Sequence, residues 1–280
     1  HTATSEDGTP IAWYDFGGNG PDLLLAHATG FCGRIWEPVV SELLTHFRCV
    51  SYDVRGHGDS GRPDYGRSGW NWERYGDDAI AVLAAARLEA PFGLGHSCGG
   101  ATEILVEQRL PGTFRSLYLF EPVLFRDDPP LGPMPERDLA VRTRRRRASF
   151  DSRDEAIANF AGRGPFTTLD PAALAAYVDH GFRHGSNGSI ELKCHPDDEA
   201  EVYVMATAHE GFLRLGQIGC PVTIGHGELS HSFSSDDMKA VVERLRTGRF
   251  AGFPGRGHFG PLEQPVEFAQ AVVAGLLGQP

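Results

Sequence analysis

Short runs of wholly apolar residues, each leading into a helix-like stretch, are what most constrain this chain. LLLA (23–26) has no polar residue to turn toward water. A strand made of it must be buried on both faces, as strands of parallel sheets are. FRCVSYD (47–53), PFGLGHS (91–97), SLYLFE (116–121), PVTIGHG (221–227) and RFAGFPG (249–255) read as further strands. Helical spacing fills the gaps at 35–44, 74–88, 101–110, 236–246 and 265–277. SEDGTPIAWYDFGG, with its Asp-Gly turn, reads as an N-terminal hairpin. Strands alternating with helices imply a mostly parallel sheet with helices on both faces.

That rhythm breaks between Val123 and Gly216. Pro129, Pro130, Pro133 and Pro135 crowd one stretch, and helical patterns follow at 136–148, 151–161, 171–182 and 197–209. The expected organisation is a core of residues 1–122 and 217–280 with a helical cap insert, 123–216, set over the sheet's C-terminal edge. Open α/β sheets bind their ligands at that edge, so the insert is expected to close the site.

A formal net charge of −11 argues against non-specific nucleic-acid binding, which needs a positive surface. The basic run Arg144 to Arg147 reads as a salt-bridged helix face, with Asp138, Asp151, Asp154 and Glu155 nearby in sequence. No apolar run approaches the roughly 18 residues of a membrane span. Five cysteines without paired spacing read as reduced thiols, and no basic region followed by an apolar run opens the chain. A cytoplasmic protein that binds a small molecule, and neither nucleic acid nor membrane, is the expectation; a homodimer stays open. The histidines lack metal-ligand spacing, so no metal and no cofactor are expected.

GHSCGG (95–100) carries the chemistry. Gly95, Ser97 and Gly99 match G-x-S-x-G between a strand and a helix, the context in which that motif presents a nucleophile. The glycines remove Cβ atoms that would collide at a sharp corner. A serine hydroxyl needs a base at neutral pH. His258, in GRGHFGPLEQP just past the last strand, is the best placed; His27, His57, His96, His226 and His231 are rivals. His258 in turn needs a carboxylate to orient it.

In LLLAHATGF, YDVRGHGDS, GLGHSCGG, PVTIGHGE and GHFGPLEQP, taken in that order, the chain resembles the α/β-hydrolase fold family, in its capped branch of esterases, lactonases, C–C bond hydrolases and haloperoxidases. The resemblance implies an eight-stranded, mostly parallel sheet with a cap. It also implies a catalytic triad, and an oxyanion hole made by the backbone N–H groups of Thr29 and Cys98. Ala28 stands where the family usually has glycine. DVRGHGDS is structural in that family, which leaves Asp53, Arg55 and His57 outside the site. The family's usual aspartate position falls on Ser230. Glu121, at the tip of SLYLFE, matches a second location used by some members and is the preferred acid; Glu228 is the alternative.

The expected activity is that of a serine esterase or lactonase working through an acyl-enzyme on a small to medium apolar substrate. Alternatives are C–C bond hydrolysis, a cofactor-free haloperoxidase or perhydrolase, and a non-enzymatic ligand receptor on the same fold. Phe125, Leu131, Met134, Phe150, Phe160, Phe166, Tyr177, Phe182 and Tyr203 in the insert each read first as its core but together hint at an apolar or aromatic group, and Trp36, nine residues after His27, is a candidate for the pocket rim or a packed core tryptophan.

Overall fold

The structure, a computed structural model, describes residues 1–63, 69–126, 138–185 and 188–278. One sheet contains β1 (Thr2–Thr4), β2 (Pro10–Gly17), β3 (Asp22–Ala26), β4 (Arg48–Tyr52), β5 (Phe92–His96), β6 (Leu117–Phe120), β7 (Val222–Gly227) and β8 (Gly248–Phe253). Its order is β1-β2-β4-β3-β5-β6-β7-β8. The pairs β1/β2 and β2/β4 are antiparallel and the others parallel. This is the eight-stranded, mostly parallel sheet the sequence implies.

The all-apolar strands have core on both sides. Leu23 and Leu25 of β3 join a cluster with Val40 and Leu43 of helix Glu37–Leu43 and with Phe268 and Val272 of helix Pro265–Leu277. Leu24, between them, joins the opposite cluster with Val82 of helix Trp72–Ala85, Ile104 of helix Cys98–Arg109 and Val241 of helix Ser235–Arg244. Period-two side chains thus feed two apolar layers, which is why no position in LLLA tolerates polarity.

Between β6 and β7 the described chain holds helices Asp138–Arg144, Arg153–Ala161, Pro171–Gly181 and Pro196–Val204. The insert is not the purely helical cap that its patterns imply. Ser149–Phe150, Ile190–Leu192 and Phe182–His184 form a small antiparallel sheet. Strands of two or three residues are too short to show a period. Phe150, Phe160 and Phe182 pack together as this insert's own core, the role expected of any single aromatic there. Leu131, Met134 and the four prolines from Pro129 to Pro135 lie outside the described residues. Among the described residues no helix is long and apolar enough to cross a membrane.

Candidate active site

Ser97 is the corner at which β5 becomes helix Cys98–Arg109, with φ 53° and ψ −113°. A side-chain-bearing residue held there costs about 1–3 kcal/mol, so neighbouring contacts must enforce it. Ser97 N–H donates to the Phe120 carbonyl (3.0 Å), and Val123 N–H donates to the Ser97 carbonyl (3.1 Å). The corner also requires its glycines: a Cβ at Gly95 would lie 2.5 Å from Gly100 Cα, and one at Gly99 2.2 Å from the Ala26 carbonyl oxygen. The following helix turns its N-terminal N–H groups toward the same end of the sheet.

Glu121, the residue after β6, also has a positive φ, 43°. Its N–H donates to the Gly225 carbonyl at 3.0 Å, which pins the corner to β7. The carboxylate is fully buried. Oε1 accepts from Gly227 N–H at 2.9 Å, and Oε2 accepts from the Ser230 hydroxyl at 2.8 Å. Oε2 also lies 2.5 Å from His258 Nδ1. An ionised carboxylate only accepts, so Nδ1 carries the proton and Nε2 is the nitrogen left to receive one.

His258 sits in the loop after β8. His96 Nε2 donates to its carbonyl at 2.9 Å, holding the loop from the end of β5. Glu263 accepts from Gly257 N–H at 3.2 Å. Glu228 turns elsewhere: its exposed side chain accepts from Gly255 N–H at 2.8 Å. Of the two candidate acids, only Glu121 touches His258.

Ser97 and His258 line one cavity of about 300 Å³, together with Thr29, Phe31, Phe166 and Phe259. They make no hydrogen bond to each other in this structure; in enzymes without substrate such bonds are often long. The N–H groups of Thr29 and Cys98 donate to no partner among the described residues, so both are available. Burial pushes the Cys98 thiol up to about 12, which keeps it protonated.

Four of the five rival histidines, His27, His57, His96 and His226, are buried, and His231 is exposed. Burial, with His57 adjacent, lowers His27 to about 3; burial lowers His57 to about 4 and His96 well below the usual range. His27 Nε2 accepts from Val54 N–H at 2.9 Å, and His226 Nε2 bonds the Phe233 carbonyl at 3.1 Å. The charged residues of DVRGHGDS are satisfied internally. Asp53 accepts from Gly33 N–H (2.6 Å) and the Tyr14 hydroxyl (2.7 Å), while buried Arg55 pairs with Asp7 and Asp78. No group of three or more His, Cys, Asp or Glu suited to a metal occurs among the described residues.

The alpha/beta hydrolase family model matches residues 23–271, which span β3 to β8 and the insert. The chain belongs to that family. A relative, the non-heme haloperoxidase of Rhodococcus erythropolis, is 26% identical over 266 residues, 91% of each chain. Two solved structures share the fold. E-2-(acetamidomethylene)succinate hydrolase superposes with a TM-score of 0.78 at 19% identity, covering 99% of this chain and 98% of that one. The enol-lactonase of Burkholderia xenovorans LB400 gives 0.75 at 20% identity, covering all of both chains.

Within this hydrolase frame two expectations change. Trp36 does not border the cavity. It is fully buried and stacks on Phe268 beneath the sheet, with ring centroids 6.3 Å apart and 17° between planes. The arginine run is salt-bridged, but largely by acids of helix Pro196–Val204. Arg144 pairs with Asp197 and Glu201, and Arg146 with Glu199; only Arg147 uses Glu155. Arg146 and Glu199 line the cavity, which the sequence reading missed. Two further residues were missed. Ser230, noted only as the position of an expected aspartate, donates to Glu121, and His96, noted only as a rival base, braces the His258 loop.

Proposed function

We propose that this chain is a serine hydrolase that cleaves a carboxylic ester or lactone of small to medium size through an acyl-enzyme. Ser97 Oγ attacks the carbonyl carbon as His258 Nε2 takes its proton. Glu121 holds the imidazole in the required tautomer and stabilises it once charged. The oxyanion takes the N–H groups of Thr29 and Cys98, each worth roughly 3 kcal/mol in such sites. His258 then returns the proton to the leaving alcohol, and water repeats the sequence on the acyl-enzyme.

One observation carries the reading: a strained serine and a carboxylate-bound imidazole line the same cavity, and the carboxylate lies 2.5 Å from the nitrogen that must stay protonated. The cavity volume of about 300 Å³ suits a small substrate. Perhydrolysis, with hydrogen peroxide replacing water in the second half, is favoured as a second reading by the haloperoxidase relative. It would use the same residues.

A fluorophosphonate should label Ser97, and Ser97→Ala should lose both the label and p-nitrophenyl acetate turnover by about 10⁴-fold or more. Labelling elsewhere, or turnover that survives the substitution, overturns the serine mechanism.

A further inference from the structure

The insert gives the cavity an ion pair. Arg146, just after helix Asp138–Arg144, donates from Nη1 to Glu199 Oε2 at 2.5 Å and from Nη2 to the Tyr177 hydroxyl at 2.6 Å. The Tyr203 hydroxyl reaches Glu199 Oε1 at 3.4 Å. The two charged side chains are only 20% and 7% exposed. Glu199 is pressed against the loop that carries Thr29: a Cβ at Gly30, where φ is +83°, would lie 2.7 Å from its Oε1. The pair therefore stands beside the amide assigned to the oxyanion.

Withdrawing two charges from water is costly, and well-packed apolar residues often stabilise a fold as well or better. A stabilising role alone is thus a weak reason for this pair to line a cavity. The remaining N–H groups of Arg146 have no partner among the described residues, and Glu199 keeps lone pairs that can accept.

Resting on the serine-hydrolase reading, we infer that Arg146 and Glu199 recognise an uncharged polar group of the substrate, one that presents an acceptor and a donor together as a carboxamide does. Among the described residues lining the cavity, no other Lys, Arg, Asp or Glu is present, so the two charges cancel. A substrate carboxylate bound to Arg146 would stand close to Glu199, which already holds that guanidinium, and like charges so placed repel. An alkyl group would strip water from both partners and return nothing. A carboxamide oxygen can accept from Arg146 while its N–H donates to Glu199.

The test uses two sets of esters of matched length. One varies the end of the acyl chain of p-nitrophenyl esters; the other varies the end of the alcohol chain of acetate esters. Each set ends in carboxamide, carboxylate or methyl. In at least one set the wild-type enzyme should prefer carboxamide to carboxylate by about tenfold or more in kcat/KM, chiefly through KM, and to methyl by several-fold. Glu199→Gln, which preserves shape, should shrink the carboxamide-over-carboxylate ratio by about tenfold, because Arg146 is then free to take the anion. Flat rankings in both sets, a preference for carboxylate, or a ratio that Glu199→Gln leaves unmoved overturns the inference. The wild-type ranking needs no variant to fold. Ser97 labelling and p-nitrophenyl acetate turnover are measured alongside: if they hold while the rankings fail, only this inference falls, and if they fail, the serine mechanism falls and takes it along.

Discussion

The sheet side and the insert side of the cavity are held in place by different means. Ser97 and Glu121 stand at strand ends, fixed by backbone hydrogen bonds to neighbouring strands and by positive φ angles, and His258, in the loop after β8, is held by the His96 side chain on its carbonyl and by Glu121 on its ring. Arg146, Glu199 and Tyr177 hold one another through side chains, across 53 and 31 residues of sequence respectively. A group set by backbone cannot drift without unpairing a strand. A side-chain network can be rewired by one substitution. Changes on the sheet side should therefore depress turnover of every substrate alike, whereas changes on the insert side should reorder substrates.

The sharpest break of that comparison is Glu121→Gln. The amide oxygen can still accept from Gly227 N–H, but the NH2 then stands where Oε2 stood, facing the Ser230 hydroxyl and His258 Nδ1, and an N–H donated to Nδ1 favours the wrong tautomer. The expected loss is about 10³–10⁴-fold in kcat, equal across an ester panel. Glu228→Gln, which disturbs only the bond to Gly255, should change kcat less than about twofold. Steady-state kinetics on the two variants decides the matter: a larger loss at Glu228 would move the acid to β7, and a loss at Glu121 that differs between esters would mean that the sheet side also selects substrates.

Next in size is Ser230→Ala. It removes one of the donors to a fully buried carboxylate. A hydrogen bond to a charged group is worth about 1.5–3 kcal/mol, so kcat should fall roughly tenfold or more, again uniformly. Ser230→Thr keeps the hydroxyl and should recover most of it. A shift in substrate ranking, or no recovery by threonine, would show the loop after β7 acting on the pocket rather than on Glu121.

The same division explains what could be read from the sequence. Ser97 and His258 were legible because a strand-to-helix corner and the loop after a last strand are positions along a line. Glu121 became legible only because Ser230 stood where an aspartate was expected. That Ser230 itself reaches Glu121 depends on how two loops fold toward each other, which spacing does not report. Trp36 stayed open between rim and core for a related reason: nine residues from His27 says nothing about which side of the sheet the ring enters. The partners of the arginine run were sought among nearby acids, yet most come from helix Pro196–Val204, delivered by tertiary packing. Alternation of apolar runs fixes a sheet; it does not fix which helices of an insert face one another.

The smallest effect expected concerns the thiols, and it probes both sides at once. Cys98 is at the elbow and Cys194 in the insert, and both are buried. Burial raises Cys98 to about 12, and burial with Glu199 close by raises Cys194 well above the ordinary thiol range. At pH 8 the Cys98 thiolate is then roughly one part in 10⁴ of the population. Iodoacetamide at that pH should leave activity within about 10% of its starting value, and any slow modification should accelerate about tenfold per pH unit below 12. Mass spectrometry of the alkylated protein locates what little reacts. Fast alkylation of Cys98 with loss of activity would shift the nucleophile from Ser97 to its neighbour. Fast alkylation of Cys194 with unchanged p-nitrophenyl acetate turnover but a reordered ester panel would instead confirm that the insert governs selection while the strand ends govern turnover.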